Sequence, residues 1–173
     1  MRQLVGMTLL LFASQALSQD LQYPVIKGHG GVVTVPDTQN PTVGGKVIID
    51  ITADSETGAG TNKSLDRVAR LINLYGLAGI QPHELNIVVI IHGEATRSVL
   101  TNVGYKDAYG CENPDVDLIK ALNEQGVEIM VCSQALIRRG FKSEWLNPDV
   151  GLALSAITTL VEYQQKGYVP LIY

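Results

Sequence analysis

Residues Gly126–Gly140 read GVEIMVCSQALIRRG, and the fold turns on how this stretch is parsed. Val127, Ile129 and Val131, with Met130, form a short β-branched apolar run that suits a buried strand ending on Cys132. A short helix is expected from Ser133 to Arg139, with Gly126 and Gly140 bracketing the unit. In open α/β sheets, ligands bind at the carboxyl edge, where strands give way to helices. A thiol placed there meets the free N–H groups and positive dipole end of a helix, which favour thiolate over thiol. Cys132 also has a plain reading, as a small apolar residue packed at the top of a core. Position alone leaves both open.

Working outward, the same pattern repeats. Asn86–Ile91 (NIVVII) is a second buried strand, running into His92-Gly93-Glu94, and Val47–Ile51 (VIIDI) is a third. Between these two strands, Thr61 or Asn62 caps a helix whose Leu65, Val68, Ala69, Ile72 and Tyr75 recur at helical spacing. Gly76 and Gly79 end it. After His92 the pattern is irregular, with a short helix over Ala95–Leu100. Pro114 then opens a helix to Gln125, capped by Asn113 and burying Val116, Leu118 (or Ile119) and Leu122. Beyond Gly140, Asn147-Pro148 starts a long helix through Lys166, and Tyr168–Ile172 makes a final strand. Strands alternating with helices predict an α/β fold: a single three-layer domain over residues 46–173, with a mainly parallel sheet flanked by helices and right-handed crossovers. Residues 19–45 carry Pro24, Pro36 and Pro41 and several glycines, and are expected to form an extended arm across the domain or a neighbouring subunit. Within the arm, Val32–Val35 would pair as a short edge strand.

The 173 residues carry 13 basic and 17 acidic side chains, a net charge of −4. That balance gives no electrostatic reason to expect nucleic acid or an anionic membrane as partner. Arg2, the apolar run Leu4–Ala13 and the small residues of Ala16-Leu17-Ser18 have the layout of a cleaved export signal over residues 1–18. The run is too short for a good membrane span, so a periplasmic or secreted mature protein, with no membrane contact after cleavage, is expected; the alternative reading is an uncleaved N-terminal anchor. In an oxidising compartment two cysteines raise the question of a disulfide. A Cys111–Cys132 bridge would close a loop of about 20 residues, worth about 3 kcal/mol if unstrained. The pair thus reads as a staple, a redox couple, or one working thiol with a partner.

A parallel sheet brings three polar strand ends to one edge: Asp50–Asp54, His92–Glu94 and Cys132–Gln134. Cys111, in the loop before the next helix, is expected near that edge. His92 beside a cysteine would accept its proton or, charged, pair with the thiolate; its plain role is a hydrogen bond to a loop carbonyl. His92, Cys111 and Cys132 are acceptable zinc ligand types, but no paired ligand spacing supports a metal, and none is assigned. His29 and His83 read as solvated or turn residues. Gly58-Ala59-Gly60 lacks the later glycine of a dinucleotide fingerprint and the lysine of a P-loop, so no nucleotide cofactor is expected. A Gly-x-Ser-x-Gly elbow is absent too. Arg138 and Arg139 lie about 9–10 Å along a helix from Cys132, too far for direct pairing unless they fold back or come from another subunit. Their plain role is to complement the helix C-terminus.

The piece Val131-Cys132-Ser133-Gln134-Ala135-Leu136-Ile137-Arg138-Arg139-Gly140 resembles the cysteine motif of the DsrE/DsrF-like (YchN-like) family. Ile91-His92-Gly93 and the helix Leu65–Tyr75 share the resemblance, which extends from Lys46 to the C-terminus. It implies a compact α/β domain assembled into trimers or hexamers, carrying sulfur as a persulfide on the cysteine that Cys132 matches. The chain departs from the family pattern in its export signal and in Cys111. The expectation is an exported homo-oligomer in which Cys132 is the nucleophile, His92 tunes it, and Cys111 is a resolving thiol or disulfide partner. Its partner would be a sulfur donor or acceptor protein, or a small sulfur species; whether it turns over as an enzyme stays open. The alternative is a non-catalytic exported binding or assembly module stapled by Cys111–Cys132.

Overall fold

A computed structural model describes residues 20–53 and 60–173. The expected export signal over residues 1–18 lies outside the described residues, as does the stretch 54–59. Five strands form one sheet: β1 (Lys46–Ile51), β2 (Asn86–Ile91), β3 (Glu128–Cys132), β4 (Gly151–Ala153) and β5 (Val169–Ile172). Their order is β4-β3-β2-β1-β5, and every neighbouring pair is parallel. The helices are α1 (Lys63–Leu77), α2 (Asn102–Tyr109), α3 (Val116–Glu124), α4 (Ser133–Arg138) and α5 (Ala156–Gln165).

Chain direction explains the layering. From β1 to β4 each new strand is laid on the same side of the last, whereas the β4–β5 connection jumps back across the whole sheet. Right-handed crossovers then require α5 to lie on the face opposite α1 and α3. The burial agrees. Ile49, Ile51, Val89, Ile91, Ile129 and Val131 pack with Leu65, Val68, Ile72, Leu118 and Leu122 of α1 and α3. On the other face, Ile48, Val88, Ile90 and Cys132 pack with Ala156 and, more loosely, Leu160 of α5. The first layer is thick. The second is covered by α5 alone, which leaves Ile157 and Val161 exposed.

Helix α1 starts where the cap chemistry dictates. The Asn62 side chain accepts the N–H groups of Ser64 (2.8 Å) and Leu65 (3.2 Å), two donors that the helix itself cannot satisfy. The arm lies across its own domain, over α1. Asn73, fully buried, accepts the Val25 and Ile26 N–H groups, each at 2.9 Å. Its amide donates to the carbonyls of Ile26, His29 and Gly30. Gly30 has φ +60°, and a Cβ there would stand 2.1 Å from the Arg70 backbone nitrogen, so only glycine allows this approach.

Four expectations about elements change. The long helix from Asn147 is instead β4 followed by α5, because the open edge of β3 pairs Met130 with Gly151 and Cys132 with Ala153. Ser155 then caps a fresh helix, its hydroxyl accepting the Thr158 N–H at 3.1 Å. The region after the short turn at Gly93–Val99 contains α2, which was not expected. Asn113 does not cap α3 directly; its side chain accepts the Asp115 N–H and donates to the carbonyls of Ser98 and Leu100, and the helix begins at Val116. Val32–Val35 forms no strand; Val32 makes one antiparallel bridge, with Gln22.

Candidate functional site

Strand register assembles the site. Ile91 of β2 faces Val131 of β3, so the next residue on each strand, His92 and Cys132, are lateral neighbours, with strands about 4.8 Å apart. Side chains two apart on a strand share a face, which puts Ile48 and Asp50 of β1, Ile90 and His92 of β2, and Met130 and Cys132 of β3 on the α5 side. His92 stays extended (φ −153°), and Gly93 then turns the chain with φ +59°.

A cavity of about 560 Å³ opens at this edge. His92, Cys132, Gln134, Arg138, Arg139 and Ser155 line it. Cys132 is only 6% exposed, and it is one of the residues that line the cavity. Among the described residues Cys132 makes no hydrogen bond to His92; in unliganded sites such a contact forms on closure, or through one water.

The nearest polar geometry is a pair that the sequence did not single out. His92 Nε2 lies 2.7 Å from Asp50 Oδ1, with the side chains 30% and 16% exposed. Asp50 had been noted only as one of several polar residues at a strand end. The available signal was a lone carboxylate inside the β-branched run Val47–Ile51. The arginines depart from their expected role. Arg139 does not complement its own helix end: it folds back so that Nε donates to the Gly93 carbonyl at 2.7 Å, and its guanidinium pairs with Glu94. Arg138 lines the cavity with Cys132. Ser155, which no sequence signal had linked to the site, arrives because α5 begins at the same edge.

Cys111 is not brought in. It is an exposed free thiol just after Gly110, the residue that ends α2, and it does not line the cavity. Both cysteines are free, so the bridge of the alternative reading is not formed. Among the described residues no group of three or more His, Cys, Asp or Glu side chains is placed to hold a metal ion.

Beside the site lies a buried polar network. Asp115, 2% exposed, accepts the Asn62 N–H at 2.6 Å, while the Asn62 amide donates to Ser98 at 3.3 Å. Burial pushes the Asp115 carboxyl above the usual range, against the lowering effect of the Asn62 and Ser98 hydrogen bonds and the Arg97 charge.

A family model described as DsrE/DsrF-like matches residues 46–171. No curated protein matches the chain. Among solved structures, a protein of unknown function from Methanobacterium thermoautotrophicum is similar over 75% of this chain and 99% of its own, at 20% identity and a TM-score of 0.55. The YchN protein of E. coli is similar over the same shares, at 18% identity and a TM-score of 0.54. At these identities the likeness speaks for the fold alone.

Proposed function

Since the chain belongs to the DsrE/DsrF-like family, we propose that it uses Cys132 as a persulfide acceptor in sulfur transfer. The observation that carries this reading is the position of Cys132, a free thiol in the wall of a cavity at the carboxyl edge of the sheet, on the strand next to His92. The thiol gives its proton to His92, and the thiolate attacks the outer sulfur of a donor R–S–SH. The donor S–S bond breaks as the Cys132 S–S bond forms, and the departing R–S⁻ takes the proton back from the imidazolium. The products are Cys132 persulfide and R–SH, with no net oxidation or reduction. Arg138 at the cavity wall supports an anionic donor or leaving thiolate.

The same proposal takes the protein to be exported, acting in the periplasm or outside the cell, on the leader pattern of residues 1–18. It also takes the protein to be a homo-oligomer. The thinly covered α5 face supports this, with Ile157, Val161 and Ile172 all exposed.

Intact-mass measurement after polysulfide treatment tests the chemistry. The wild type gains the mass of a sulfur atom, and Cys132→Ser does not. Equal sulfur addition to both proteins, or none to the wild type, overturns the proposal.

A further inference from the structure

We propose that Asp50 is a positioning residue for the Cys132 thiol. Its carboxylate fixes the proton of His92 on Nε2 and leaves Nδ1 as the base available to the cysteine. This rests on the reading of Cys132 as the working thiol.

The placement begins in the strand. Val47, Ile49 and Ile51 of β1 pack into the thick core with α1 and α3, while Ile48 packs into the thin one with Cys132. Asp50, two residues after Ile48, is the polar member of that second row. It sits between Ile90 on one side and Ile172 on the other, its side chain 16% exposed. A carboxylate in such a place costs free energy unless it is hydrogen-bonded. Its side chain meets His92 diagonally across the β1–β2 pair, at 2.7 Å.

An ionised carboxylate only accepts, so the shared proton belongs to His92 Nε2. In neutral imidazole the other nitrogen then carries the lone pair. Nδ1 makes no hydrogen bond among the described residues, and His92 and Cys132 line the same cavity. Asp50 thus sets the tautomer, limits the ring's rotation and faces the positive charge that appears when the thiol proton is taken up, the division of labour of a nucleophile–base–orienter triad. It never touches the reacting sulfur. Among the described residues, the other charged groups around His92 are Glu94 in the following turn, Arg138 at the end of α4 and Arg139 just after it. Arg139 and Glu94 neutralise each other, and the residues of α5 at the cavity, Ser155–Ile157, carry no charge.

The test follows Cys132 alkylation by iodoacetamide against pH, in a Cys111→Ser background where only one thiol reacts. Asp50→Asn is expected to slow alkylation near neutral pH by at least about tenfold and to displace the rate profile to higher pH, because an amide does not hold the required tautomer. Asp50→Glu is expected to recover part of the rate. Nitrogen NMR of the wild type at about pH 8, where imidazole is ordinarily neutral, should find the proton on Nε2. An Asp50→Asn protein with the wild-type rate and profile overturns the proposal, as does a wild-type His92 with its proton on Nδ1. If Asp50→Asn does not fold, the wild-type tautomer decides alone. The sulfur reading is tested separately: a wild type that alkylates in an Asp50-dependent way but accepts no sulfur removes the persulfide step and leaves the role of Asp50 standing.

Discussion

Cys132 and Cys111 share a chemistry but not an environment. Cys132 packs with Ile48, Val88 and Ile90 and is nearly closed to solvent except through the cavity, whereas Cys111 is exposed beyond the end of α2. Cys132→Ser is expected to abolish sulfur loading while costing about 1 kcal/mol of stability, since a hydroxyl in that apolar row gains a desolvation penalty that a thiol escapes. Cys111→Ser should leave both loading and the unfolding midpoint unchanged. A mass gain lost with Cys111 and retained without Cys132 would reverse these roles. At this scale the sequence was half legible. Cys132 and His92 stand at strand ends that a parallel sheet aligns, so their place at one edge, lining one cavity, followed from the strand pattern. The Asp50 contact depends on which face a mid-strand residue takes, and a run buried on both faces, as Val47–Ile51 is, carries no alternation to reveal it.

Between elements, two buried side chains do most of the joining, and each makes a prediction. Asn73 holds the arm to α1 through both ends of its amide. Asn73→Ala strands buried backbone groups of Val25, Ile26 and Gly30, and should cost about 3 kcal/mol and open the arm to limited proteolysis. Resistance equal to wild type would show that Ile26 and Val32 hold the arm unaided. Asp115 joins the loop before α1 to α3 with its carboxyl raised by burial. A carboxyl that holds its proton more tightly when folded contributes stability that is fully present below the ordinary carboxylate range. That stability is lost as pH rises through the folded value. Asp115→Asn escapes the loss, so its stability relative to wild type should climb from about pH 4 upward and then level off. Urea unfolding of the two proteins across that range checks it, and a constant difference would mean that burial does not govern this carboxyl. The misread elements have local causes. Val150, Leu154, Ile157, Leu160 and Val161 fit one helical stripe, which hid a three-residue strand; the Ser155 cap was the signal that a new helix begins. Helix α2 escaped notice because only Gly104 and Tyr105 are buried on it, with Val103 exposed, too short a stripe to read.

For the whole molecule, the two sheet faces are unequal, and the thin one has consequences for assembly. Its exposed apolar side chains exceed what isolated surface residues explain. Sedimentation equilibrium of the mature protein should give a mass of several chains, and Val161→Glu on the exposed side of α5 should lower it. A monomeric wild type would remove the oligomer from the proposal. The proposal of export predicts that amino-terminal sequencing of the protein recovered outside the cytoplasm begins at Gln19, and a chain that keeps residues 1–18 would remove export from it. The α/β class, the parallel sheet and the strands β1, β2, β3 and β5 were legible, because β-branched runs and helical stripes alternate so regularly, whereas α2 and β4 were not. The spatial order of the strands was not, since periodicity says nothing about which edge β5 joins. That edge bears on how the protein comes into being. β1, near the start of the domain, has β5 as its second neighbour, and more than a hundred positions separate Val47 from Val169. As the chain folds, one flank of β1 therefore stands bare until β5, the last strand of the domain, arrives. Pairings this distant in sequence close slowly, and a chain caught in that interval has an open strand edge to offer to its neighbours.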